Sequence, residues 1–238
     1  MILPNVRASF GRAEAGTVLG MLSEGDAEAR AVLDDRLRDD GFDAILDDPR
    51  TLNALLTGDR APSPGLTFYV LVRHALLESG IDDRTLADYI AAVLVEFGRE
   101  DRAYRIEAGD PDRYYYLVDL VAAMETPDGR RRFLVRAHLG NFALWLAGIF
   151  PDRVEARVRR RGAPGLDYVE AMGASGFRLA AQTRLADDNG LSPLYREAAE
   201  SFPRLRVALN RLSDRYLFPG RPGSIDRLLR QVSGRFDG

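Results

Sequence analysis

Cysteine and lysine are both absent from this chain of 238 residues. Without cysteine there is no disulfide, no thiolate nucleophile, no cysteine-ligated zinc and no iron–sulfur cluster. Without lysine there is no Schiff-base chemistry, no lysine general base and no phosphate-cradling P-loop lysine. All 33 basic side chains are therefore arginine. Codon bias is the simpler cause of that exclusivity, and escape from tagging on lysine is the selective one. Histidine is scarce too, with only His74 and His138. Extended β-branched runs with period-two alternation are missing, and no Asn-Gly hairpin separates two such runs.

What is present is ordinary for a globular chain. Hydrophobic residues make up 46% and charged residues 29%, with a net charge of −3, so composition does not mark a general nucleic-acid binder. MILPNVRASFGRAEAG lacks the charged, apolar and small-residue succession of a secretory signal. The expected location is cytoplasmic.

Helical periodicity dominates the chain. Leu86, Tyr89, Ile90, Val93, Leu94 and Phe97 form one stripe on a helix capped by Asp82 or Asp83. Phe68, Leu71, Val72, Ala75, Leu76 and Ser79 form another, with Gly80 as its stop. Asp110-Pro111, Ser192-Pro193 and Thr126-Pro127 read as helix starts, a cap followed by proline, and Phe150-Pro151 opens a further helix. These patterns predict an all-α fold: one globular, bundle-like, multi-helix domain of roughly nine to eleven helices. An acidic N-terminal helical segment (1–60) precedes the main helical body (61–238). Breaks are expected at 57–66, 98–112, 161–165 and 217–224, which are rich in glycine, proline or charge.

Charge is segregated along the chain. Residues 130–161 carry nine arginines against Asp152 and Glu155, a local charge of +7. Residues 14–59 carry twelve acids against four arginines, a local charge of −8. On the helix PDRVEARVRRR, Arg153, Arg157, Arg160 and Arg161 fall on one face, which makes them the candidate partner-binding residues. They suit a homo-oligomer contact or an acidic protein partner. The same cluster could grip nucleic-acid phosphates, but its helix carries no aromatic side chain on which bases would stack.

Between the arginine groups, Phe133–Phe150 is 18 residues long, near the lower limit of a membrane span. Arg136, His138 and Asn141 interrupt it, so a buried core helix is expected and no span. On that helix His138, Asn141 and Trp145 share a side and form a candidate pocket, with the imidazole as base or orienting donor, the amide as anchor and the indole as wall. His74 and Glu78, at i and i+4, are the further candidates for that pocket or for a mutual hydrogen bond.

Two histidines do not complete a metal-ligand set, and no metal or cofactor is expected. Asp34, Asp35 and Asp39 of DDRLRDD resemble half of a magnesium–diphosphate site, but Arg36 and Arg38 neutralise them and no second acidic motif faces them. RYYYLVDL reads as helix, its tyrosines too far apart around the axis to make one platform and Tyr114 turned to the core. MGASGF (172–177) reads as a close helix–helix contact. No catalytic set assembles from these elements, so the sequence points to a binding protein rather than an enzyme.

Overall fold

The computed structural model describes residues 1–58 and 62–218. Those residues form twelve α-helices and no strand, an all-α fold. The count passes the expected range because short turns of helix, such as the five residues Arg184–Asp188, stand as separate elements. Part of the 57–66 break and most of the 217–224 break lie outside the described residues. The chain divides into two compact units, Ile2–Val95 and, with Met1, the chain from Glu96 onward.

The first unit holds α1 (Arg12–Ser23), α2 (Ala27–Leu46), α3 (Pro49–Thr57), α4 (Pro64–Glu78) and most of α5 (Arg84–Phe97). Side-chain caps define its helix starts. Asp26 accepts from Glu28 N at 2.8 Å, Asp48 from Arg50 N at 2.9 Å, Ser63 from Leu66 N at 3.3 Å and Asp83 from Leu86 N at 2.9 Å. Asp48 and Ser63 each precede a proline, the cap-plus-proline start in its proper place. Gly80 ends α4 at φ 71°, while Ile81 N donates back to Leu76 O at 2.9 Å.

Arg73, on α4, is the largest fully buried side chain among the described residues. Its Nε donates to Asp47 Oδ1 at 2.7 Å, and its Nη2 reaches Asp47 and Asp82. Arg84 approaches the same Asp47 from solvent at 2.6 Å. Burial works against the Asp47 carboxylate, yet the two arginines hold it below the usual carboxylate range. Arg73→Ala strands Asp47 in a half-desolvated site, and a loss of about 3 kcal/mol is expected from breaking such a pair. Chemical denaturation checks it; a loss below 1 kcal/mol would mean that Arg84 and water replace the guanidinium.

The second unit holds α6 (Leu117–Ala123), α7 (Gly129–Ile149), α8 (Pro151–Arg161), α9 (Leu166–Ala181), α10 (Arg184–Asp188), α11 (Ser192–Glu200) and α12 (Phe202–Leu212), followed by one π turn, Ser213–Leu217. Its axis is α7, apolar nearly all round and packed chiefly against α9, with α12, α6 and α8 about it. From Phe133 to Ile149 only Arg136 and Trp145 escape full burial. Among the described residues no single helix is long and apolar enough to cross a membrane. Only α7 and α8 taken together reach that length and composition, and they are bent by 91°.

The small residues of MGASGF let α9 lie against α7. A Cβ on Gly176 would stand 2.8 Å from Gly140 N and 2.9 Å from Arg136 O, and one on Gly173 would strike Ala143 and the Phe202 ring. At the end of α7, carbonyls without a helical partner are met by α12. Asn210 Nδ2 donates to Ala147 O and Gly148 O at 2.8 and 2.7 Å, and Ser213 Oγ donates to Ile149 O at 2.7 Å.

Three expected starts differ. No helix opens at Asp110-Pro111: Asp110 accepts from Glu107 N at 2.9 Å and pairs with Arg131, so its carboxylate closes a turn instead. Asp128 caps α7 rather than Thr126. Ser192 begins α11 without capping it, because its hydroxyl donates to Ala181 O at 2.8 Å.

Candidate functional site

The structure separates the arginines of 130–161 into two groups. Arg130 forks onto Glu107, with bonds of 3.0 and 2.6 Å, and Arg131 binds Asp110 at 2.8 Å. Both are spent on the fold. Arg136 donates to Leu179 O at 3.3 Å, tying α7 to α9. On α8 the pattern changes. Arg153, Arg157, Arg160 and Arg161 have no carboxylate partner among the described residues, and all but the half-buried Arg157 are exposed. Pro151 and Val154 are the buried residues of this helix, and the arginine stripe runs beside them. Gly162, at φ 59°, ends it after three consecutive arginines, which also suit the negative end of the helix dipole.

Aromatic rings from elsewhere in the chain border that face. Residues 113–116 are not helical, and Tyr116 stands just before α6 in extended backbone at φ −127°, ψ 146°. The helical reading of RYYYLVDL is corrected here: Tyr114 N donates to Tyr104 O at 2.8 Å, which holds the segment open until Leu117. Tyr114 is half-buried, whereas Tyr115 and Tyr116 are 45% and 48% exposed. The Arg157 guanidinium lies 5.5 Å from the centre of the Tyr116 ring. Arg153 reaches Tyr104 Oη at 3.5 Å, and Tyr104 packs on Tyr115 with ring centres 4.8 Å apart. Val118 and Val158 add exposed apolar surface. The face therefore combines cations that no described carboxylate neutralises with accessible rings, a combination invisible within the helix sequence alone.

The candidate pocket residues lie elsewhere in this unit. His138 and Asn141 are each 3% exposed, and Trp145 is half-buried. His138 packs between Phe97 and Phe142, with Trp145 against both rings. The imidazole hydrogen-bonds to the Ala103 backbone, while its Nε2 has no partner among the described residues. Burial, aided by the Arg102 charge, pushes its pKa from 6.5 to about 3, so the ring is neutral at physiological pH. An imidazole sealed this way holds an aromatic cluster together; it has no edge on the surface with which to meet a substrate.

His74 and Glu78 sit in the Ile2–Val95 unit. His74 Nε2 engages Leu46 O at 3.0 Å instead of the Glu78 carboxylate, and Glu78 is exposed. Among the described residues no three histidine, aspartate or glutamate side chains gather as metal ligands. The DDRLRDD acids pair with neighbouring arginines, Asp34 with Arg30 and Asp35 with Arg38. A cleft of about 940 Å³ in the same unit, bordered by Glu24, Asp26, Arg30 and Arg50, had no sequence signal. Its arginines are already paired, Arg50 with Asp48 and Arg30 with Asp34. Compared with known proteins, the chain matches no family model, no curated protein and no solved structure.

Proposed function

We propose that this protein acts by binding, holding an anionic partner on the arginine face of α8, rather than by catalysis. The observation that carries this reading is the contrast within one basic cluster: Arg130 and Arg131 are neutralised by Glu107 and Asp110, while Arg153, Arg157, Arg160 and Arg161 have no carboxylate partner among the described residues. A guanidinium held on a packed helix meets a carboxylate or phosphate with two parallel hydrogen bonds.

Self-association through the acidic N-terminal segment is the second form of the reading, and the structure lends it less. Asp34, Asp35, Asp40, Asp43, Asp47 and Asp48 already carry arginine partners in their own unit. A pocket around His138, Asn141 and Trp145 also has less support, with the imidazole and amide both buried.

Retention on immobilised heparin, read as the eluting salt concentration, tests the proposal. Arg157→Glu with Arg160→Glu is expected to abolish retention at low salt while leaving the helical circular dichroism unchanged. Retention equal to wild type would sink the assignment to α8. Light scattering at low and high salt decides between partners: assembly that dissolves with salt would favour a second copy, and a monomer throughout favours a different molecule.

A further inference from the structure

We infer that the face formed by α8 and the 113–118 segment takes single-stranded nucleic acid, a reading that rests on the anionic-partner proposal above and names the partner. Two independent features meet there. The first is a row of cations. Arg153, Arg157 and Arg161 follow one another at i, i+4 and i+8, which places them about 6 Å apart along the axis. That interval is close to the separation of successive phosphates along an extended strand.

The second feature is a pair of accessible rings. Tyr115 and Tyr116 are about half exposed, and Arg157 lies over Tyr116 at 5.5 Å. A ring beside a guanidinium stacks a base while the cation holds the adjoining phosphate, a pairing used by proteins that bind single strands without reading their sequence. Val158, exposed on α8 itself, gives sugar and base edges an apolar patch beside the arginines.

Other anionic partners use only part of this face. A duplex keeps its bases stacked on one another, so the tyrosines would find nothing to receive. An acidic peptide would engage the arginines and leave the rings idle. An anionic membrane calls for a continuous outward apolar side on the helix, but Val154 of α8 is turned into the core. The overall charge of −3 does not oppose the inference, because Asp34, Asp35, Asp40, Asp43, Asp47 and Asp48 are paired with arginines of their own unit.

Fluorescence anisotropy of the full chain with labelled oligo-dT, a duplex of the same length, and polyaspartate or anionic vesicles as competitors tests it. Oligo-dT is expected to bind best, with log K falling by about 3 per tenfold rise in salt if four arginines each release a counter-ion. Tyr115→Ala with Tyr116→Ala is expected to weaken oligo-dT binding about tenfold or more, with heparin retention unchanged. Tyr115→Phe with Tyr116→Phe, which keeps both rings, is expected to bind as wild type. Undiminished oligo-dT binding by the alanine pair would overturn the inference, as would stronger competition by polyaspartate, vesicles or duplex. Equal loss of heparin retention in the alanine pair would also overturn it, by assigning the tyrosines to the fold. If the wild-type chain ignores heparin as well, the anionic-partner proposal itself falls; if heparin binds and only the tyrosine dependence is missing, the nucleic-acid inference alone falls.

Discussion

Lowering the pH from 6.5 to about 4.5 is expected to remove about 2 kcal/mol of folding stability through His138 alone. The folded chain holds this imidazole neutral, with its pKa pushed down to about 3, whereas in the unfolded chain it titrates near 6.5. Between those values the unfolded state binds more protons than the folded one. Stability therefore falls as pH drops through this window, by about 1.4 kcal/mol per pH unit, and is indifferent to His138 above it. The carboxylates held low by arginine, Asp47 and Glu107 among them, lose their contribution at more acid pH. The upper part of the window is thus the cleaner place to look. Urea midpoints measured across it should slope for the wild type and flatten for His138→Phe. That variant keeps an aromatic ring against Phe97 and Phe142 and gives up the hydrogen bond to the Ala103 backbone, at a cost of about 1 kcal/mol. Two parallel pH profiles would show that the imidazole takes up its proton without leaving the core.

The second large effect is expected at Phe177. This ring is fully buried, stacked on Tyr195 with centres 5.8 Å apart and tilted against Phe202 at 6.0 Å. It also lies where a side chain on Gly140 would have been, which is how α9 comes so close to α7. Phe177→Ala opens a void bounded by three packed helices, and Gly140, which admits the ring, has no side chain to fill it. A cost of about 4 kcal/mol is expected, from lost transfer energy together with the cavity left behind. Thermal or denaturant unfolding measures it, and a loss near 1 kcal/mol would mean that α9 collapses onto α7 instead.

Much of the helical layout could be read from the residues because periodicity records burial directly. The stripe from Leu86 to Phe97 is buried throughout, and the apolar run ending at Phe150 is the core helix α7. The glycines of 172–177 were readable as a close contact for the same reason: small residues on a helix face leave room for a neighbour. Partners were harder than faces. Spacing placed His74 beside Glu78, but the imidazole is claimed by the Leu46 carbonyl, a group with no sequence signature. Asp110 before a proline looks like a cap until Arg131 and Glu107 N compete for its carboxylate. At the candidate site, the four arginines of α8 follow from one helical repeat. Tyr104 and Tyr116 do not, because each reaches its arginine only through the folding of a stretch distant in sequence, a helical turn for Tyr104 and extended backbone for Tyr116.

The right-angled corner between α7 and α8 gives the arginine face a thermodynamic advantage. Pro151 cannot continue α7, its own ring is buried, and the carbonyls it leaves open are taken by Asn210 and Ser213. The corner is thus a fixed bracket, and the backbone of α8 is already ordered before any partner arrives. Binding of the proposed anionic partner would then have only the arginine side chains left to immobilise, and little of the attraction between opposite charges would be consumed in shaping the surface that receives it.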